Sequence, residues 1–201
     1  MRILHLSDTH NLHRELQNLP PADIIIHSGD MSMSGTVQEI MSFLDWFVAL
    51  DYQYKIFIAG NHDYCLDGKN PKIIQSFLPE NCYYLHNNSV TIRECKFWGI
   101  PFFFSDDVSG NYQQLIAQIP HDTDILITHR PPFGILDRAN DISYGYPDLL
   151  QAVLTVRPRY HLFGHIHDVY GIRTTKDTIF ANTALVDEEY RLLNNLFVFG
   201  I

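Results

Sequence analysis

The side chains able to do chemistry in this chain are mostly histidines and aspartates, gathered in five short blocks. Asp8-Thr9-His10 comes first and Gly29-Asp30 second. Gly60-Asn61-His62-Asp63, Thr128-His129 and Gly164-His165-Ile166-His167 follow. Together they offer carboxylate, amide and imidazole donors and no sulfur. Such a set suits Mn, Fe, Zn, Co or Ni rather than Cu(I) or Ca. One structural zinc takes four ligands, whereas Asp8, His10, Asp30, Asn61, His129, His165 and His167 make a longer list. That surplus implies two divalent ions, each with about four protein ligands if Asp30 bridges. Two ions about 3.5–4 Å apart can hold a hydroxide between them and clamp a phosphoryl group for in-line attack.

Every block stands where an apolar run stops. Residues 3–6, 24–26, 54–59, 125–127 and 160–163 read as strands, and their unbroken apolar character suits strands covered on both faces. Helices lie between them. Thr36-Val37-Gln38-Glu39 is a capping box, and Val37, Ile40, Met41, Leu44, Phe47 and Val48 recur behind it at helical spacing. Asn70-Pro71 opens a helix to about Leu78. Residues 112–119 and 147–156 are further helix candidates. Late strands are expected at 169–173, 179–182 and 196–200, with a hairpin around Glu94. The alternation predicts a layered α/β protein. In open α/β sheets the carboxyl ends of strands form the ligand crevice. Gly29, Gly60 and Gly164 suit sharp strand exits that approach a ligand closely. In an extended segment His165 and His167 would face one side.

Composition narrows the class. The 201 residues are 46% hydrophobic and 18% charged, which excludes disorder, collagen and coiled coil. One domain spanning residues 1–201 is expected. Lys and Arg number 14 against 23 Asp and Glu, a formal charge of −9. That is a poor footprint for duplex nucleic acid or an anionic membrane, so neither is expected as a partner. Monomer and dimer both fit. Cys65, Cys82 and Cys95 are odd in number and have no CxxC spacing. Reduced thiols and a cytoplasmic location are the expectation. The first eight residues turn polar too soon for a signal peptide, and no apolar run reaches membrane-spanning length.

The five blocks, in this order, resemble the calcineurin-like metallophosphoesterase superfamily, whose signature is D-x-H, G-D, G-N-H-D/E, a lone H and G-H-x-H. The stretches Gly60-Asn61-His62-Asp63, Thr128-His129-Arg130-Pro131-Pro132-Phe133-Gly134-Ile135-Leu136-Asp137 and Phe163-Gly164-His165-Ile166-His167 resemble its MPPED branch, related to the small cyclic-nucleotide phosphodiesterases. The resemblance implies a four-layer αββα sandwich of two mixed sheets flanked by helices. It implies two divalent ions, with Mn²⁺ first and Fe, Zn, Co or Ni as others. Asp8, His10 and His167 would hold one ion and Asn61, His129 and His165 the other, with Asp30 shared. His62 would stabilise the scissile phosphate or protonate the leaving oxygen, and Asp63 would orient His62. Asn61, His62 and Arg130 would face the substrate. Arg130, where many relatives carry a small residue, and Met31-Ser32-Met33-Ser34 depart from the common pattern. The implied activity is hydrolysis of small phosphate esters, with diesters, including cyclic nucleotide-like ones, first. A phosphomonoesterase or protein phosphatase, and a non-catalytic metal-binding scaffold, are the alternatives. Outside the blocks, His5 and His27 are expected as packed strand residues, and His13, His86, His121 and His161 on loops or the surface. Phe102-Phe103-Phe104 is expected as core or pocket wall.

Overall fold

A computed structural model of the chain describes residues 1–201. The strands are β1 (Arg2–Leu6), β2 (Ile24–His27), β3 (Tyr54–Phe57), β4 (Cys82–Tyr84), β5 (Asn88–Ile92), β6 (Cys95–Ile100), β7 (Ile125–Thr128), β8 (Arg138–Ala139), β9 (Ile142–Ser143), β10 (Tyr160–Phe163), β11 (Gly171–Thr174), β12 (Ile179–Asn182) and β13 (Phe197–Gly200). The helices are α1 (Val37–Ala49), α2 (Pro71–Ser76), α3 (Phe104–Ser109), α4 (Asn111–Ile116) and α5 (Pro147–Val156). One sheet has the order β13-β1-β2-β3-β4 and the other β11-β12-β10-β7-β6-β5, while β8 and β9 form a separate hairpin. Both sheets are parallel at their centres. Antiparallel strands β13, β11 and β5 complete them.

Strand alternation builds the layers. Ile24 and Ile26 of β2 meet Ile125 and Ile127 of β7 in the core between the sheets. The intervening Ile25 turns outward to a cluster with Phe43 and Phe47 of α1. Leu126 turns outward on the other side, to Tyr112 and Leu115 of α4 and Leu149 and Val153 of α5. Each such side chain withdrawn from water contributes about 1.5–3 kcal/mol. The result is a four-layer αββα sandwich, and the apolar runs are covered on both faces because both sheets lie inside it.

Local chemistry sets the boundaries. The α1 capping box closes in both directions: Glu39 N donates to Thr36 Oγ1 at 3.2 Å, and Thr36 N donates to the Glu39 carboxylate at 2.9 Å. Asn70 caps α2 by accepting from Lys72 N at 3.0 Å. That helix stops at Ser76, short of the expected end. Arg93 and Glu94, at φ 48° and 67°, form the left-handed pair of a tight hairpin turn between β5 and β6. The strand expected from 169 begins only at Gly171, because His167–Val169 winds into a 3-10 turn. Two histidine expectations are corrected. His161 is a fully buried residue of β10, and His13 is buried under α1, where its ring meets Phe43.

The sheets are also joined directly on one side. Just beyond β1, Ser7 bridges to Ala184, just beyond β12. Ser7 N donates to Thr183 O at 3.2 Å and Leu185 N to Ser7 O at 3.0 Å. No helix is long and apolar enough to cross a membrane.

Candidate metal centre

All five blocks meet at this joined side, where β1, β2 and β3 of one sheet and β7 and β10 of the other end. Four of the residues leave their strands in the left-handed region: Asp8 at φ 54°, His10 at 39°, Asp30 at 56° and His165 at 71°. Such conformations cost on the order of 1 kcal/mol each and persist where surrounding bonds hold them. Here Asp8 N donates to Gly29 O at 3.0 Å and His10 N to Asp30 O at 3.1 Å. The extended geometry expected for residues 165–167 is therefore corrected: a tight turn carries both imidazoles. A Cβ on Gly164 would overlap the Asp8 carboxylate, and one on Gly60 the Asp30 carboxylate.

The donor atoms form overlapping groups. Those of Asp8, His10 and His167 lie within 4.8 Å of one another, as do those of Asp30, His129 and His165. Asp30 joins the two. Its Oδ2 stands 3.7 Å from His10 Nε2 and 3.3 Å from His129 Nε2, while its Oδ1 accepts from His62 N at 2.8 Å. Asn61 Oδ1 lies 3.0 Å from His129 Nε2. Asp8 Oδ1 lies 3.4 Å from His167 Nε2.

Backbone carbonyls set the imidazoles. Nδ1 of His10 meets Ser32 O at 3.1 Å, that of His129 Ser28 O at 2.9 Å, and that of His167 Asp187 O at 3.1 Å. A proton on Nδ1 leaves each Nε2 lone pair facing the crevice, the tautomer a metal ion requires. His10 Nε2 is buried with no partner in the chain. A buried acceptor left so is costly, and a cation among these nitrogens and oxygens answers it. The residues thus fit divalent metal ions. Burial holds His165 down at about 3 and lowers His10, so both stay neutral. Burial would also lower His129, but the Asp30 charge and hydrogen bond reverse this and raise it to about 9. Asp30 would be raised by burial, yet His129 draws it down to about 2. A metal ion in this position displaces the His129 proton.

His62 stands at the junction, in one group with His10 and Asp30, its ring 4.7 Å from that of His10. Its Nδ1 meets Met33 O at 2.8 Å, leaving Nε2 for the crevice. The expectation that Asp63 orients His62 is corrected on this point. The buried Asp63 carboxylate accepts from Gly60 N, Asp30 N, Ser32 N and Ser32 Oγ at 2.7–3.0 Å. It binds the second and third blocks together. Burial, then the charge of Asp30, raises it to about 6. Arg130 is committed to the chain rather than open to a substrate. Its guanidinium lies 3.3 Å from Asp107, donates to Tyr144 O at 2.9 Å, and packs over the rings of Phe102 and Tyr146. Phe102 is fully buried in the core and stacks toward His129.

Sequence reasoning missed three neighbours. Asp187 orients His167 through its backbone oxygen. Tyr64 and Tyr190 each place a ring beside His62. None belongs to a motif, although Tyr64 directly follows the block Gly60-Asn61-His62-Asp63.

Known proteins resemble this chain in sequence and in fold. The human protein "Metallophosphoesterase domain-containing protein 1" is 33% identical over 96% of this chain and 68% of its own length. A UPF0046 protein of Caenorhabditis elegans is 30% identical over 100% of this chain and 75% of its own. Among solved structures, a novel archaeal phosphodiesterase superposes with a TM-score of 0.50 at 18% identity, covering 99% of this chain and 100% of that one. GAP50, the anchor in the inner membrane complex of Plasmodium, gives 0.58 at 11% identity over 92% and 71%. The sequence model of the calcineurin-like phosphoesterase family matches residues 1–169, the stretch that holds every block described above. Shared sequence, sandwich and crevice chemistry agree: the chain belongs to the calcineurin-like phosphoesterase family, metal-dependent hydrolases of phosphate esters.

Proposed function

We propose that this protein is a dinuclear phosphodiesterase acting on small or cyclic nucleotide-like diesters, with Mn²⁺ as its metal. The observation that carries this reading is His62, held by Met33 O beside an Asp30 whose Oδ2 faces both ligand groups. Bound divalent ions supply Lewis acidity and a nucleophile at neutral pH. The chain's own residues do the rest. Asp8, His10 and His167 hold one side of the crevice, and Asn61, His129 and His165 the other. His62 N fixes Asp30 through Oδ1, so Oδ2 stays in the shared position. As an imidazolium with its Nδ1–H held by Met33 O, His62 would give its Nε2 proton to the leaving oxygen and be left neutral.

Charge favours a diester. A monoester dianion carries one negative charge more than a diester, and the bordering arginines are already paired. Arg130 lies against Asp107, and Arg191 is 2.6 Å from both Asp187 and Glu189. The test is turnover of bis(p-nitrophenyl) phosphate against p-nitrophenyl phosphate with Mn²⁺, with and without chelator. Chelator-sensitive turnover that favours the diester is expected. A preference for the monoester would remove the diester assignment, and absence of turnover with any first-row metal the enzymatic one. His62→Ala is expected to keep its metal and lose about 10²–10⁴-fold in kcat.

A further inference from the structure

Two tyrosines flank His62. The Tyr64 ring centroid lies 6.1 Å from the imidazole and that of Tyr190 6.3 Å. They come from distant segments: Tyr64 from the turn after the third block, Tyr190 from the turn between β12 and β13. Both stay accessible, Tyr64 at 52% and Tyr190 at 36%. Exposed aromatic surface beside a reaction centre is surface a ligand can cover.

Each ring is held. Tyr64 lies against Gly35, where a Cβ would come within 2.5 Å of its Cδ2. Tyr190 meets the rings of His10 and His167 edge to face, at 4.8 and 5.7 Å. Its backbone is left-handed at φ 57°, an unusual state for a bulky residue. A closed turn maintains it. Tyr190 N donates to Asp187 O at 2.9 Å, while Asp187 Oδ1 accepts from Glu189 N at 3.0 Å and Arg191 N at 2.9 Å. The Asp187 backbone oxygen that accepts from Tyr190 N also orients His167. One residue therefore sets both a ligand imidazole and the tyrosine above it. Strain of this kind is kept at sites where placement matters.

The Tyr190 hydroxyl is also free. Tyr52, Tyr146, Tyr160 and Tyr170 each donate theirs to an acceptor in the chain; Tyr190 has no such acceptor.

We infer that Tyr64 and Tyr190 form the subsite for the ester's organic group, and that they select a flat aromatic group over a short alkyl one. The inference rests on His62 facing the leaving oxygen, as proposed above. A group bonded to that oxygen extends past His62 and meets an aromatic ring on either side. Offset or edge-on packing against each ring strengthens binding beyond simple burial.

Phenylphosphonate and methylphosphonate test this without turnover. Both carry the same head group, and neither is hydrolysed. Calorimetric titration into the Mn²⁺-loaded protein is expected to show phenylphosphonate binding at least tenfold tighter. Tyr64→Ala and Tyr190→Ala are each expected to weaken phenylphosphonate by about tenfold and leave methylphosphonate unchanged. Tyr190→Phe keeps the phenyl preference. Manganese content, measured in parallel, separates a lost subsite from a lost metal. Should Tyr190→Ala shed manganese, Tyr64→Ala decides alone, since its ring contacts His62 and no ligand. Equal losses for both phosphonates, or no loss for either, overturn the inference. A phenyl preference in a protein without turnover leaves the subsite standing and removes the proposed activity instead.

Discussion

Buried imidazoles divide into two kinds, and pH separates them. His10, His129 and His167 turn Nε2 to the crevice, whereas His5, His27 and His161 are buried in strands and bonded to hydroxyls. His5 meets Ser28 and Thr183, His27 meets Thr9, and His161 meets Thr128. Thr128 already donates its hydroxyl proton to Arg130 O at 2.7 Å, so His161 donates from Nε2. Burial lowers all three to about 3, from an unfolded value near 6.5. Between these limits the unfolded chain binds protons that the folded one refuses. Stability is full above pH 6.5 and falls as pH drops toward 3, by about 1.4 kcal/mol per pH unit for each histidine. His161 shows no charged neighbour among the causes of its shift, so it is the cleanest of the three. Urea unfolding of chelated protein at pH 7, 6 and 5 is expected to give a slope that His161→Gln reduces by about 1 kcal/mol per pH unit, since this range straddles the unfolded value. An unchanged slope would refute a neutral, buried His161. The ligand residues were legible in the sequence because Asp, Asn and His at strand exits carry their own signal. The true anchor of His62 was not, since Met33 acts through a carbonyl that any residue possesses. Nor was the burial of His161, which stands in a run whose apolar neighbours were legible but whose hydroxyl partner lies in another strand.

At the scale of elements, α1 does more than cover a sheet. Its Glu39 carboxylate accepts from Thr36 N, from Ser34 N and from the Asn11 amide, next to His10 in sequence. The helix start is thus tied to the loop that presents a metal ligand. Thr36→Ala is expected to cost about 1 kcal/mol in urea unfolding and leave turnover unchanged. Glu39→Ala is expected to cost more and to weaken metal retention, since the His10 loop loses its brace. Equal effects of the two variants on metal content would refute that brace. The capping box, α5, β10 and β12 could be read from local patterns, since caps, proline at the helix start and apolar runs act at short range. α3 and the β8–β9 hairpin could not. α3 begins in the aromatic run Phe102-Phe103-Phe104 with no side-chain cap, and Arg130, through Asp107, fastens it from afar. The β8–β9 hairpin has two residues per strand, too few for alternation to show.

At the scale of the molecule, the candidate ligand set belongs to neither sheet alone. One sheet supplies Asp8, His10, Asp30 and Asn61, the other His129, His165 and His167. A divalent ion held by this set would therefore brace the sandwich on the side already joined by Ser7 and Ala184. Free metal at 100 times its dissociation constant is expected to add about 2.7 kcal/mol to unfolding stability, and chelator to reverse this. Asp30→Ala is expected to abolish most of the gain, and a full gain in that variant would refute a shared carboxylate. The layers could be read from the order of apolar runs; which faces of the two sheets meet depends on pairing between distant strands. That distance has a consequence for the growing polypeptide. Asp8 accepts from the amide of His165, a residue separated from it by most of the chain. A ribosome that has released only residues 1–128 presents four of the seven ligands, and His10 is the only imidazole among those four. The full ligand set is therefore complete only once His167 has emerged, and a stalled or truncated product lacks the three imidazoles of the second sheet.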